Sequence, residues 1–227
     1  MTILFAPSEA KTNGGENEQM RFCLNIDREE ILKTYDAITK TPDALKLYGT
    51  KEDLHVDIFN SPTKKAIERY SGVAYEYLGY ASLSQEAQNY IDEHLIIFSN
   101  LFGPICAKDL IPFYKLKQGN PVGDIKPERY YKERLKDIEF DEEILDLRAG
   151  YYEKFYKPRY CIKMKFIKNG KVVSHWAKAY RGMVLRQIAL GGIASFEELR
   201  KVEFEGLRLI EIQEKRDHQM WVFGIEE

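Results

Sequence analysis

Ten of the chain's 34 Lys and Arg residues fall between Lys154 and Phe196, a stretch without a single Asp or Glu. The rest of the chain carries 24 cations against 36 acidic residues, so a basic segment sits on an acidic body. That arrangement suits an anion-binding face. Lys163 and Lys165 alternate with apolar residues, and with Trp176 they form a set that can neutralise phosphates and stack a base. Lys178 and Arg181, three apart on a helix, share one face, with Arg186 somewhat around it; all three are candidates for phosphate contact. Gly191-Gly192 then breaks the helix, and backbone N–H groups beside the next helix start could seat a further phosphate oxygen.

A second group lies at the N-terminus, where Ser8, Lys11 and Thr12 follow a short apolar run. With Asp109, Lys115 and Arg181 they could form a site for a small anionic substrate, because a lysine beside other cations can lose its proton near neutrality and act as base or nucleophile. The chain has no G-x-S-x-G, no P-loop and no G-x-G-x-x-G after a strand, so no recognised catalytic signature names a reaction. Cys23, Cys106 and Cys161 are widely spaced without C-x-x-C, and the four histidines, His55, His94, His175 and His218, lack ligand spacing. No metal and no cofactor is expected from these patterns, and a metal centre would have to be assembled from distant residues. The three cysteines read as buried free thiols that react slowly with peroxide.

The elements that must position these groups follow from the apolar periodicity. Thr2 to Ala6 reads as a buried strand that Pro7 stops, leaving a polar loop through Gly15. Asp27 with Glu30 predicts a helix to about Thr39. Thr41-Pro42 and Ser61-Pro62 each predict a helix start, with Gly49 and Gly72 as terminators. Ser84 caps a helix to about His94, followed by strands at Leu95–Phe98 and Ile144–Leu147. Asn169-Gly170 supplies the turn of a hairpin over Tyr160–Lys178. Its two-residue register sets Lys168 opposite Lys171, Phe166 opposite Val173, Met164 opposite His175 and Ile162 opposite Ala177, with Lys163 facing Trp176 on the polar side. Ala179–Leu190 is helical, Ser195 opens a capping box, and Leu207–Ile212 and Met220–Ile225 form two closing strands. The expected fold is α+β (mixed α/β). It is a single domain over residues 1–227, with helices around a mixed sheet, a C-terminal β-hairpin and a helix-hairpin-helix-like element.

Three separated segments together resemble the YaaA family of bacterial peroxide-stress proteins. They are Ile3-Leu4-Phe5-Ala6-Pro7-Ser8-Glu9-Ala10-Lys11-Thr12, then Ser99-Asn100-Leu101-Phe102-Gly103 with Asp109-Leu110-Ile111-Pro112-Phe113-Tyr114-Lys115-Leu116, and Ala177-Lys178-Ala179-Tyr180-Arg181-Gly182-Met183-Val184-Leu185-Arg186. Asn100 stands where that family usually has Gly, and Lys115 where it usually has Arg, whose bidentate geometry a lysine cannot reproduce. The resemblance implies a positively charged cleft, a helix-hairpin-helix element, DNA binding, and a part in the oxidative-stress response that limits iron-dependent damage.

At 227 residues the chain can bury a full core, and 44% hydrophobic content with 13% aromatics excludes wholesale disorder. The apolar runs are too short to span a bilayer, so the expected setting is soluble and cytoplasmic, with no membrane partner. DNA, duplex or distorted and read with little sequence preference, is the expected partner. The alternative is an enzyme acting on a phosphate-bearing or other anionic small molecule through the Ser8/Lys11 loop with Asp109 and Arg181.

Overall fold

Ile3, Leu4 and Phe5 of the first strand, β1 (Thr2–Phe5), are buried on both faces, which only a central parallel strand requires. The computed structural model, which describes residues 1–50, 54, 56–173 and 176–226, places β1 between two parallel neighbours. One is β3 (Leu95–Ser99), with Ile3 opposite Leu95; the other is β6 (Ile144–Asp146), with Ile3 opposite Leu145. β3 is buried at all five positions, as its unbroken apolar run demands. Beyond it lies the antiparallel β4 (Gly103–Cys106). On the other flank β7 (Cys161–Lys168) pairs parallel with β6 and with β10 (His218–Ile225), which turns back antiparallel on β9 (Leu207–Glu214). The sheet order is β4-β3-β1-β6-β7-β10-β9, and the two-residue β8 (Lys171–Val172) joins β7. A separate two-stranded sheet pairs β2 (Thr63–Lys65) with β5 (Leu110–Pro112). The chain is thus one mixed α/β domain around a mostly parallel sheet.

The helices are α1 (Glu29–Thr39), α2 (Ala44–Tyr48), α3 (Ala66–Arg69), α4 (Val73–Leu78), α5 (Gln85–His94), α6 (Pro127–Arg134), α7 (Trp176–Gly191) and α8 (Phe196–Leu199). Ser84 caps α5 by accepting from the Ala87 N–H, and Asp27 accepts from the Glu29 N–H at the start of α1. Two expected features are corrected. Ser61-Pro62 leads into β2, because Thr63–Lys65 pairs with β5 before the helix begins at Ala66, and Gly72 opens α4 instead of closing α3.

The Asn169-Gly170 turn has φ 51° and 74°, the positive pair of a type I′ turn, and Lys168 faces Lys171 as read from sequence. The hairpin nevertheless ends at Val172, with one further hydrogen bond from the Val173 N–H to the Phe166 carbonyl. Trp176 and Ala177 belong to the first turn of α7, so neither faces β7 across a ladder. The expected pairing of Met164 with His175 involves a residue outside the described set, as are Ser174 and His55. The edge of β7 that the returning arm was expected to fill is taken instead by β6, which pairs Leu145 with Ile162 and Asp146 with Lys163, while β10 lies along the opposite edge.

α7 packs against α4 at Gly182, where a Cβ would lie 2.1 Å from the Ala74 carbonyl oxygen. That backbone atom cannot step aside. Gly182→Ala is expected to destabilise the fold by about 1–3 kcal/mol through overpacking. An unchanged urea midpoint would show that the two helices can separate freely.

Candidate functional site

Strand order reverses between β1 and β6, since the chain proceeds from β1 to β3 on one side and later returns to place β6 on the other. Open α/β sheets bind ligands in the crevice outside the carboxyl ends of the strands at such a point. A cavity of about 390 Å³ sits there. Phe5, Ala6, Pro7 and Ser8 line it from the end of β1, Leu147 and Ala149 from the end of β6, and Tyr75 and Tyr152 from its sides. Lys178 and Arg181 reach it from α7. A neighbouring groove of about 270 Å³ is lined by Lys163, Lys165, Asp146 and Arg181. Arg181 therefore belongs to both, and links the helix cations to the polar face of β7.

Burial lowers the Arg181 pKa from its ordinary value, with Asp146 as the carboxylate that works against this. Asp146 is already engaged by Arg148 through two hydrogen bonds of 2.9 and 2.8 Å. Arg181 makes no ion pair among the described residues, so a half-buried guanidinium faces both hollows without a carboxylate of its own. An anion entering either hollow would meet that charge.

The structure divides the remaining sequence candidates. Lys178 is exposed at the cavity, Lys165 is exposed on β7, and Lys163 is held by Glu153 at 2.8 Å. Trp176 is 56% exposed at the start of α7. Arg186 turns away, donating to the Leu78 and Gly79 carbonyls at 2.8 and 3.3 Å and so bracing α7 on α4. Gly191 and Gly192 close α7, but the Gly192 and Ile193 amides donate to the Ala189 and Ile188 carbonyls, and Glu198 accepts from the Ala194 amide. The phosphate seat expected at the Gly191-Gly192 turn is therefore filled by the protein's own carbonyls and carboxylate. α8, capped by Ser195, is four residues long.

The N-terminal loop is fixed from beneath. Arg69 donates to the carbonyls of Thr12, Gly14, Pro62 and Ile111, and the Thr12 hydroxyl donates to the Glu68 carbonyl, which turns Thr12 toward α3. Lys11 donates to the Ser8 carbonyl at 3.1 Å and lies 4.1 Å from the Tyr114 ring centre. Tyr114 in turn hydrogen-bonds Tyr70 and Ser99, each at 2.8 Å. Burial and then the charge of Lys115 bring the Lys11 pKa down to about 7. Lys115 itself is tied through its backbone to Tyr35. Asp109 does not line this cavity; its carboxylate accepts from the backbone of Cys23 and Cys106. Sequence reasoning missed Tyr70, Tyr75, Tyr114 and Arg69 as partners of the loop, because nothing in their spacing marks tyrosines as site residues rather than core.

Acylating reagents attack neutral amines, and an ordinary lysine near 10.4 is neutral in only about one molecule in a thousand at pH 7.4. Lys11 is expected to label ahead of the exposed lysines, its reactivity rising as pH climbs through about 7. Peptide mapping of labelling against pH checks this; a Lys11 profile rising only above pH 9 would contradict it.

The cysteines depart from the expected three buried thiols: Cys23 is exposed, Cys106 half-buried and Cys161 buried. Burial pushes the Cys161 thiol up to about 12, and burial with Asp109 raises Cys106.

A family model described as peroxide stress protein YaaA matches residues 1–213. An uncharacterized protein of Campylobacter jejuni is 42% identical over 234 residues, with 95% of each chain covered. A UPF0246 protein of Corynebacterium glutamicum is 33% identical, with 84% of this chain and 85% of that protein covered. A UPF0246 protein of Fusobacterium nucleatum is 26% identical, with 92% and 93% covered. Among the described residues, no helix is long and apolar enough to cross a membrane.

Proposed function

Because the chain belongs to the peroxide stress protein YaaA family, we propose that it serves the response to peroxide by binding DNA through its phosphates. The binding surface is the lip formed by the polar face of β7, the β7–β8 turn and the start of α7. The observation that carries this reading is the position of Arg181, which lines both the switch-point cavity and the Lys163/Lys165 groove. Lys165, Lys171 and Lys178 are exposed around it, with Trp176 available to stack. Lysines and one arginine read charge and shape, so little sequence preference is expected, on duplex or distorted DNA. The α7–Gly192–α8 turn holds α7 in place, and phosphates are met by side chains on the opposite half of α7. The family's description supports setting this binding within peroxide stress, with restraint of iron-dependent damage as its proposed outcome. Fluorescence anisotropy with labelled duplexes of unrelated sequence tests the reading: equal affinities that fall with salt are expected, and absence of binding at low salt would refute it.

A second reading is favoured by the cavity itself. A hollow of about 390 Å³ takes a small anion whole, and Lys11 lies beneath the adjoining Ser8 loop with its pKa near neutrality. An enzyme acting on a phosphate-bearing small molecule would use Arg181 and Lys178 to hold the anion and Lys11 as base. Thermal-shift measurements with nucleotides separate the two, because a saturable rise in Tm with one small molecule points to this reading, and a response to polyanions alone points to DNA.

A further inference from the structure

The turn joining β4 to β5 carries an arrangement that neither functional reading uses. Cys106 ends β4, and Asp109 follows three residues later, its N–H donating to the Cys106 carbonyl at 3.1 Å. The segment before α1 is laid against this turn by a two-way backbone bridge between Arg21 and Leu110. That brings Cys23, 83 positions from Cys106 in the chain, to the same place. The Asp109 carboxylate, only 1% exposed, accepts from the Cys23 N–H at 2.8 Å and from the Cys106 N–H at 2.9 Å. The two thiol sulfurs and a carboxylate oxygen all lie within 4.8 Å of one another.

We infer that Cys23, Cys106 and Asp109 form a binding site for one thiophilic divalent cation of the Zn²⁺ class, held by two sulfurs and one oxygen. Three considerations support it. Zinc–sulfur bonds near 2.3 Å and zinc–oxygen bonds near 2.1 Å set tetrahedral ligand atoms about 3.5–3.8 Å apart, a spacing within the 4.8 Å bound that the three atoms already meet. The two backbone N–H groups fix the carboxylate's orientation while each oxygen keeps a lone pair, which is the role outer-shell hydrogen bonds play at metal centres. Asp109 also lacks an ion pair among the described residues. The nearby Arg28 guanidinium hydrogen-bonds the carbonyls of Leu24, Ile26, Phe102 and Pro104 and acts on the carboxylate only through space, so a bound cation would add a direct contact to an anion otherwise met by backbone N–H groups. Exposed Cys23 leaves an entry path, and the fourth position is left for water.

The test uses the full chain, reduced and freed of metal, titrated with Co²⁺ as a spectroscopic probe and then with Zn²⁺ against a chromophoric chelator. The expected result is one ion per chain, with a thiolate-to-cobalt charge-transfer band that Zn²⁺ abolishes, and protection of Cys23 and Cys106 from alkylation on loading. Cys23→Ser, at an exposed position where folding is retained, should weaken Zn²⁺ binding at least tenfold, and Cys106→Ser should do the same. Failure of the reduced protein to take up one equivalent, or a Cys23→Ser chain that binds as tightly as the unaltered one, would overturn the site. Neither outcome depends on DNA or nucleotide binding, so the inference stands or falls apart from the proposed function.

Discussion

Arg148→Ala is expected to cost about 3–5 kcal/mol of folding stability, the range for removing one partner of a buried ion pair. Arg148 is 4% exposed and Asp146 5%. The guanidinium gives Asp146 two hydrogen bonds and donates to the carbonyls of Tyr152 and Tyr156 at 3.2 and 3.0 Å, with its carbon 4.3 Å from the Phe98 ring centre. Its loss leaves a carboxylate and two carbonyls without those partners at the end of β6, where the cavity and the Lys163/Lys165 groove meet. Replacing both members with apolar residues of similar size should recover much of the loss, because no unpaired charge then remains. Urea unfolding of the single and double variants measures both effects, and a single-variant loss below about 1 kcal/mol would contradict the assignment.

Arg181→Ala is expected to weaken DNA binding about ten- to a hundredfold, as loss of one charge-assisted contact predicts, and by the same factor for every sequence. Arg181→Lys should restore part of the affinity, keeping the charge but losing the planar fork. Arg186→Ala provides the contrast. Arg186 holds α7 to α4 through the Leu78 and Gly79 carbonyls, so its loss should lower stability while leaving the affinity of the folded protein nearly unchanged. Equal affinities for the Arg181→Ala and unaltered proteins would remove Arg181 from the interface.

The elements legible in the sequence were those with local determinants. The β1 apolar run, the Ser84 cap, the Asn169-Gly170 turn and the Ser195 cap each depend on residues within a few positions, and each is present where the spacing puts it. Features set by distant chain were not legible. The hairpin after Gly170 stops at Val172, and β10, about 50 residues later, lies along β7, because parallel pairing leaves no signal in either strand alone. Arg186 matched a phosphate-contact pattern on its helix, yet the carbonyls at the end of α4 claim it. Asp109 was grouped with Lys11 by sequence, whereas the Arg21–Leu110 bridge brings it to Cys23. The placing of Lys163 and Lys165 on one side of β7 follows from the alternation of that strand, whereas Arg181 comes to the same groove from α7, which no pattern in β7 announces.

The most direct measurement of the central claim is DNA affinity as a function of salt. Engagement of about five phosphates by the cations around Arg181 predicts a slope of log K against log salt of roughly −4.5 on duplex, and Arg181→Ala should make it shallower by about one. A flat response over the same salt range would contradict a phosphate-binding surface on the β7–α7 lip.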